Sequence, residues 1–396
     1  MSTVSKGIRT ITTSTPLLWT HVDLALTQSY KNVYTRHAQN CFKYSRHQSL
    51  YVHVFIEAEP NSIDAKRVIK VLRPHMSRIV SITLRAPGSL TRDLVRELFD
   101  NPDVSHLRDI CLSNFSTKGP YKLLDSQIFD DCSDECLRSL QTLMVRGPLV
   151  SLDSYMFQGL TVLKLMPSVR PVARQTIHQL TGALMACPGL RVLSLLNFGF
   201  DALSGISAGP VDLPQLEQLD LRFIRTAELP DLLSSMSFSS RRLAFSMSVD
   251  HEELPDDQLL ALQTFINRVN VTRLLLEGPL EEIGEDWPDL LMGTKFPAIE
   301  ELALSDFAFA RSSVGALPCM DPSSFPAIHT LHILNCITKP NCCRQYFGSS
   351  LIQSVYVDDP ENMKAFTGLI PSVQRREYPY ICDGEGDFAW PVNAHF

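Results

Sequence analysis

The chain has 396 residues, enough for two ordinary domains or one extended repeat protein, and its 36 basic and 43 acidic residues give a formal net charge of −7. The basic residues do not form the concentrated face that nucleic-acid binding needs, so we expect no nucleic-acid partner. No run approaches the roughly 18 apolar residues of a membrane span, and the start MSTVSKGIRT lacks an apolar signal segment, so we expect neither a membrane partner nor export.

Ten cysteines are scattered along the chain without even spacing. Without an export signal, such cysteines are typical of reduced thiols, and they argue against an extracellular protein with disulfide-bonded caps. The sequence therefore predicts a cytoplasmic or nuclear protein.

Residues 4–24, VSKGIRTITTSTPLLWTHVDL, form a distinct N-terminal segment that contains Pro16 and Trp19. An end repeat needs a cover over its apolar core, and a tryptophan can supply it. We therefore predict a short helical N-terminal cap in residues 1–45, a repeat domain in residues 46–375 and a tail in residues 376–396.

An apolar pattern, L-x-x-L-x-L, recurs eleven times at intervals of 20–33 residues. The last two apolar positions lie two residues apart, so both side chains point to one face of an extended strand. One strand and one return segment in about 20–29 residues is typical of leucine-rich repeats. The pattern predicts an α/β leucine-rich-repeat solenoid, with parallel strands on the concave face and helices and turns on the convex face; the alternative is an ordinary α/β domain with many buried strands. The copies begin at Ile79, Leu107, Leu140, Leu160, Leu190, Leu216, Ser240, Val271, Ile299, Ile328 and Ile352.

The spacers between the copies are interpreted as helices or turns. Helical patterns cover Ser62–Leu72 and residues 90–100, 172–187 and 254–269. The apolar stripe of the last segment, Leu259 to Ile266, is expected to pack on the sheet as core. When the first apolar residue of each copy is counted as position one, position nine is often Asn in leucine-rich proteins. Here it is occupied by residues that we expect only to pack. They are Phe115, Phe198, Ile224, Phe307 and Cys336.

Two groups of cysteines lie close enough together in the sequence to be candidate metal ligands. Cys132 and Cys136 form C-x3-C, and Cys336, Cys342 and Cys343 lie close together, but the paired four-ligand spacing of a zinc site is missing. The acidic segment CDGEGD, with Asp383, Glu385 and Asp387, lacks the remainder of a calcium loop. We predict no metal site.

No motif for nucleophilic catalysis or phosphate binding occurs in the chain: G-x-S-x-G, G-x-x-x-x-G-K-[ST] and G-x-G-x-x-G are all missing. We therefore predict no catalytic residues and no cofactor, and interpret the protein as a non-enzyme. An enzyme built on a repeat frame remains a minor alternative.

The run 14–24, STPLLWTHVDL, resembles the segment that closes the F-box in basidiomycete-type F-box proteins, where a Val-Cys-x-x-Trp-Arg helix leads to P-x-L-W-T-H-I-D-L. Val4, Ser5, Ile8 and Arg9 align with that helix, with Ser5 in the place of Cys and Ile8 in the place of Trp. Those proteins continue into irregular leucine-rich repeats with F-P-x-L-x-x-L-x-L openings, similar to FPAIEELAL and FPAIHTLHI here. The resemblance covers nearly the whole chain.

The resemblance implies substrate selection for a Skp–cullin–F-box ubiquitin ligase, in which the repeats hold the target and the F-box holds the Skp adaptor. The sequence begins inside the last helix of the F-box pattern, so the resemblance is to a truncated F-box. We expect the adaptor to bind weakly or not at all unless a fuller F-box lies upstream. The alternative is a stand-alone leucine-rich-repeat scaffold or decoy without ligase contact.

The residue between the last two apolar positions of each copy is predicted to line the concave face, where solenoids usually bind their partners. With its flanking residues it makes a surface of mixed charge, which suits a protein or peptide better than a nucleic-acid duplex. Three arginines in this set could hold an acidic or phosphorylated peptide. The candidate partner-binding residues are Lys164, Asp220, Arg222, Arg242, Arg273, Glu301, His332 and Tyr356.

Overall fold

The structure is a computed structural model of the whole chain. It describes residues 6–26, 31–56, 62–86, 88–99, 106–113, 138–147, 152, 157–167, 175–201, 210–225, 228–239, 242–248, 256–278, 298–309, 328–338, 343, 347 and 351–375.

The described residues form an α/β, solenoid-like fold. Fourteen strands belong to a long parallel sheet, in which they follow one another in chain order. The chain divides into two compact units, the first comprising residues 1–218 and 234–239 and the second residues 219–233 and 240–396.

The sheet strands of the first unit are β1 (His21–Leu26), β2 (Leu50–Ile56), β3 (Ile79–Arg85), β4 (Asp109–Ser113), β5 (Thr142–Gly147), β6 (Val162–Pro167) and β8 (Val192–Leu195). Those of the second unit are β11 (Gln218–Leu221, of which Gln218 falls in the first unit), β13 (Leu243–Ser248), β14 (Val271–Glu277), β15 (Glu301–Ser305), β17 (Thr330–Leu334), β19 (Ser354–Val357) and β20 (Ser372–Arg375).

Each of the eleven predicted copies of the apolar pattern contains or directly precedes one sheet strand, from β3 to β19. The structure adds three strands that the pattern did not predict: β1 and β2 at the start of the sheet and β20 at its end. Thus β1, which lies inside the predicted cap, is itself a strand of the sheet and pairs with β2 from His21↔Tyr51 to Leu26↔Ile56.

The apolar positions of the pattern form the core because parallel strands in register stack equivalent side chains. Leu274 pairs with Leu302, Leu302 with Leu331, and Leu331 with Val355, and each of these side chains is at most 1% exposed. Leu193 in the first unit and Leu219 in the second are also fully buried. The burial of these leucines agrees with the strand register inferred from the sequence.

A left-handed residue follows several of the strands and precedes the predicted position nine. Asn197, Phe223, Asp306 and Asn335 have φ values of 54°, 61°, 62° and 48°. This backbone conformation is rare for residues other than Gly, Asn and Asp, so its recurrence one residue before position nine marks an equivalent turn. The recurrence is independent of the leucine spacing and supports a true structural repeat.

The residues at position nine are buried, with Phe198, Ile224, Phe307 and Cys336 at most 5% exposed. Phe115 lies outside the described residues. The expectation that these side chains only pack is wrong for Cys336, whose Sγ lies 3.4 Å from the Phe307 backbone N–H donor, 3.4 Å from the Leu304 carbonyl and 3.2 Å from the Leu334 carbonyl. The thiol links neighbouring backbone loops because sulfur can both donate and accept weak hydrogen bonds.

Three described pairs of two-residue parallel strands lie outside the long sheet, in the segments that connect its strands. They are β7 (Gln175–Thr176) with β9 (Phe200–Asp201), β10 (Val211–Asp212) with β12 (Met236–Ser237), and β16 (Ala308–Phe309) with β18 (Ile337–Thr338).

The described helices are α1 (Lys6–Ser14), α2 (Lys31–Tyr44), α3 (Ser62–Leu72), α4 (Gly88–Phe99), α5 (Ile177–Met185), α6 (Leu229–Ser234), α7 (Asp256–Arg268) and α8 (Pro360–Phe366), with 3-10 helices at Pro16–Trp19 and Arg73–Arg78. None of them is long and apolar enough to span a membrane.

The four helical spacers predicted from the sequence all contain helices, and α3 has the predicted bounds. Thr176 caps α5 in a capping box, in which its side chain accepts from the Gln179 backbone N–H and the Gln179 side chain returns to the Thr176 N–H. In α7, Leu262 and Phe265 are buried as expected, but Leu260 is 62% exposed. The apolar stripe is therefore narrower than the sequence suggests.

Candidate functional site

A cluster of charged side chains lies at the carboxyl ends of strands in the second unit. Asp220 and Arg222 come from the end of β11, Ser248 from the end of β13 and Glu277 from the end of β14. The strands place these residues together because parallel strands in chain order bring equivalent ends of successive repeats side by side. We call Asp220, Arg222, Ser248 and Glu277 the buried charge cluster.

The guanidinium of Arg222 is the centre of the buried charge cluster. It donates two hydrogen bonds to Asp220, from Nε to Oδ1 and from Nη2 to Oδ2, both at 2.9 Å. Its Nη1 donates to Glu277 Oε2 at 3.4 Å. The side chains of Arg222 and Asp220 are 8% and 5% exposed, so the bidentate pair is removed from solvent.

Ser248 connects the cluster to the left-handed turn after β11. The Phe223 backbone N–H donates to Ser248 Oγ at 3.1 Å, and that hydroxyl lies 3.5 Å from Glu277 Oε2. The hydroxyl can accept from the amide while donating to the carboxylate. The cluster thus holds the turn at Phe223 as well as the strand ends.

Burial and the neighbouring charges shift the two central pKa values. Burial raises the pKa of Glu277 to about 7; Arg222 opposes this shift, while Asp306 and Asp220 reinforce it. Burial alone would lower the pKa of Arg222, but Asp220 and Glu277 outweigh it and raise that pKa. Arg222 therefore stays charged, and Glu277 gains or loses a proton near neutral pH.

This raised pKa predicts that Glu277 makes the fold less stable as the pH rises. The folded-state value of about 7 exceeds the ordinary value of 4.5, so the folded protein binds this proton more tightly than the unfolded chain. The free energy of unfolding should fall between pH 4.5 and 7, by up to about 3 kcal/mol from this group, at about 1.4 kcal/mol for each pKa unit.

The Glu277→Gln variant tests this prediction, because glutamine keeps the shape without titrating. Urea unfolding from pH 4.5 to 8 should show a flatter profile than that of the parent. The Glu300→Gln variant is the control, since the side chain of Glu300 is 37% exposed, and its profile should follow the parent. A Glu277→Gln profile that parallels the parent would show that the carboxyl titrates normally.

Two other arginines of the predicted partner-binding set also meet carboxylates. Arg273 Nε lies 3.5 Å from Glu301 Oε1 on the paired strand, and Arg242 Nη2 lies 3.3 Å from Glu300 Oε1. The side chain of Arg242 is 74% exposed, that of Arg273 is 38% exposed and that of Arg222 is buried. Each of the three arginines therefore has a carboxylate within 4 Å, so acidic side chains are interspersed among them.

His332 and Tyr356 are neighbours on β17 and β19. Their rings stack with centroids 5.0 Å apart and planes 17° apart, and His332 Nε2 lies 3.9 Å from Glu301 Oε2. The side chain of His332 is only 3% exposed, whereas Tyr356 is half-buried. Tyr356 and Glu301 are therefore more accessible to a partner than His332.

The row predicted to face a partner contains both half-buried and buried residues. In the first unit Thr83, Cys111, Met144 and Lys164 are half-buried and Ser194 is buried, and the exposed His53 of β2 extends the same register. In the second unit the equivalent row includes the buried Asp220, Leu275, Ala303 and His332. Of the eight predicted residues, Lys164 alone lies in the accessible row of the first unit.

The N-terminal segment has an apolar face of its own. Trp19 is anchored inward, since its Nε1 donates to the Thr12 carbonyl at 2.7 Å and its ring lies 5.0 Å from that of Tyr44. Beside it, four apolar side chains are between 56% and 68% exposed. We call these residues the N-terminal apolar face: Ile8 and Ile11 in α1, and Leu17 and Leu18 in the following 3-10 helix.

Within the described residues, no group of three or more His, Cys, Asp or Glu side chains is placed to hold a metal ion. Cys336 and Cys343 are buried, and burial raises the pKa of Cys336 to about 12, which disfavours the thiolate form. Cys132, Cys136, Cys342 and the acidic segment 382–387 lie outside the described residues.

Comparison with protein-family models found no match, and comparison with curated proteins found no similar protein either. The functional argument therefore depends on the residues and geometry of this chain.

Three features were not predicted from the sequence. They are the contact of Ser248 with Glu277, the influence of the Asp306 charge on Glu277, and the N-terminal apolar face. The turn at Asp306 could have been predicted from the sequence. Asp306 directly precedes Phe307 at position nine, and aspartate tolerates the left-handed conformation that this turn needs. The contact of Ser248 could not have been predicted, since a serine at the end of a strand is common. Exposure of Leu17 and Leu18 could be inferred only from the packing of the segment around Trp19.

Proposed function

We propose that this chain is a leucine-rich-repeat protein that recognises other proteins, acting as a substrate-receptor-like component of a Skp–cullin–F-box ubiquitin ligase. The observation that carries the proposal is the N-terminal apolar face, which lies in the segment that resembles the end of an F-box. Four large apolar side chains exposed together are typical of a surface that another protein covers.

The leucine-rich-repeat assignment is supported by three coinciding features. These are the eleven spaced copies of the apolar pattern, the parallel strand at each copy, and the left-handed residue before position nine in several of them. Cys336 also bridges neighbouring loops at the position that asparagine often occupies in other leucine-rich-repeat proteins.

The target surface that we propose is the accessible row of the first unit, His53, Thr83, Cys111, Met144 and Lys164. Cys111 Sγ lies 3.4 Å from Met144 Sδ, so a polarizable pair sits in the middle of the row. Methionine adapts its shape to different partners, and Lys164 adds a positive charge at one end. A protein or peptide with an acidic residue flanked by apolar side chains suits this row.

Binding of the purified Skp adaptor tests the ligase proposal. We expect binding with a dissociation constant in the micromolar range, because the N-terminal apolar face offers the adaptor only a small apolar surface. The Leu17→Glu/Leu18→Glu double variant should weaken binding at least tenfold, since it places charge in the N-terminal apolar face. Titration calorimetry measures both affinities.

The Met185→Glu variant is the matched control, because Met185 is also an exposed apolar residue, 61% exposed, at the end of α5. It should bind the adaptor like the parent. If the adaptor does not bind the parent, or if both variants bind equally, the stand-alone scaffold without ligase contact becomes the better interpretation.

A further inference from the structure

The region from residue 31 to residue 78 is basic although the whole chain is acidic. It contains nine Lys and Arg residues against three Asp and Glu residues, a formal charge of +6, whereas the chain carries −7. This region includes α2, α3 and the 3-10 helix Arg73–Arg78. The positive electrostatic potential of residues 31–78 therefore favours an anionic ligand over a cationic one.

The same helices enclose a cleft of about 540 Å³, a volume in the range of small-molecule binding sites. Lys43 of α2 and Arg67 and Lys70 of α3 line it, together with Thr35 and Gln39. No Asp or Glu occurs among the described residues that line the cleft. Three cationic side chains thus converge on one cavity.

Other basic side chains of this region have structural partners that hold them to the fold. Arg73 forms an ion pair with Glu97 of α4. Arg78 donates from Nε to the Gln48 carbonyl at 3.0 Å and from Nη2 to Ser45 Oγ at 2.6 Å. Neither Arg73 nor Arg78 is among the described residues that line the cleft.

The remaining wall of the cleft is apolar and flat. Phe42 stacks on His75 with ring centroids 4.2 Å apart and planes 17° apart, and Val71 and Pro74 complete this wall. Burial, followed by the charge of Arg78, lowers the pKa of His75, so its ring is neutral at pH 7. Phe42 is 4% exposed, so the surface on which an apolar group can lie is formed mainly by Val71, Pro74 and His75.

We propose that this cleft binds an organic anion, whose phosphate or carboxylate contacts Lys43, Arg67 and Lys70 and whose apolar part lies on Val71 and Pro74. Arginine and lysine bind phosphate and carboxylate oxygens through charge-assisted hydrogen bonds, and the apolar wall selects for an organic substituent. The proposal is independent of the ligase proposal, because it uses none of the residues of the N-terminal apolar face or of the target surface. A free small molecule and a phosphorylated side chain of a partner protein offer the same chemistry.

Three small probes separate the two halves of the site: phenyl phosphate, inorganic phosphate and phenol. Titration calorimetry with the full chain, at constant ionic strength, should show phenyl phosphate binding at least tenfold more tightly than inorganic phosphate. Phenol should not bind measurably. Equal binding of phenyl phosphate and inorganic phosphate, or binding of phenol as tight as that of phenyl phosphate, would overturn the proposal.

Neighbouring residues of α3 provide matched variants. Arg67→Gln and Lys70→Gln remove charges that line the cleft, and together they should weaken phenyl phosphate binding at least tenfold. Lys66→Gln removes an exposed charge that is not among the described lining residues, and it should change the affinity less than twofold. If Lys66→Gln weakens binding as much as the double variant, the attraction is diffuse and the cleft is not a site.

A tyrosine-phosphorylated peptide distinguishes the two sources of the ligand. Binding as tight as that of phenyl phosphate would assign the cleft to a phosphorylated partner. Binding of phenyl phosphate alone would assign it to a free small molecule. Both results support the anion site, and failure of the Skp adaptor to bind would leave either of them unchanged.

Discussion

The Leu219→Ala variant is expected to lose about 2–5 kcal/mol of unfolding free energy. Leu219 is fully buried in β11, so truncation removes apolar contacts and leaves a cavity that the surrounding strands only partly refill. Urea unfolding, followed by circular dichroism, measures the loss.

The Leu260→Ala variant is the control for this substitution. Leu260 is 62% exposed in α7, and alanine is a good helix former, so the unfolding free energy should change by less than about 0.5 kcal/mol. A Leu219→Ala protein as stable as the parent would contradict the strand register from which the fold was inferred.

The Arg222→Met variant should lose about 3–5 kcal/mol of unfolding free energy, because it leaves buried carboxylates without their cation. Arg222 makes the bidentate contact with Asp220 and the longer contact with Glu277, and its side chain is 8% exposed. Methionine retains much of the apolar volume, so the loss reports on charge rather than on a cavity. The loss should shrink as the pH falls, because Glu277, whose pKa burial raises to about 7, can then take up a proton.

The Arg191→Met variant supplies the comparison in an exposed pair. Arg191 also contacts a carboxylate with two nitrogens, at 2.8–3.0 Å from Glu217, but the two side chains are 57% and 55% exposed. The Arg191→Met variant should lose less than about 1 kcal/mol of unfolding free energy, because solvent screens surface ion pairs. Equal losses in the two variants would mean that burial adds nothing to the Arg222 pair.

The strand positions could be predicted from the sequence because the leucine spacing is local. A strand needs only alternating burial over a few residues, and the eleven copies show it between Ile79 and Val357. The strands β1, β2 and β20 were missed because HVDLAL, LYVHVFI and SVQR do not show the full three-residue pattern. Their pairing to neighbouring strands determines their conformation.

The buried charge cluster shows where sequence reasoning fails. Asp220 and Arg222 look like surface residues, because charged side chains are almost never fully buried unless they are paired. Their environment also depends on Glu277, 55 residues further along the chain, and on the geometry of the one sheet strand, β13, that lies between β11 and β14. Sequence spacing alone does not show which carboxylate meets which arginine.

The chain-order arrangement of the strands also affects how the protein folds. Neighbouring copies of the apolar pattern are only 20–33 residues apart, so joining one strand to the next requires the closure of a short loop. Short closures favour fast folding, and a row of similar closures gives several places where a nucleus can form and grow by adding one neighbouring repeat. The fourteen strands can therefore assemble stepwise from more than one starting point.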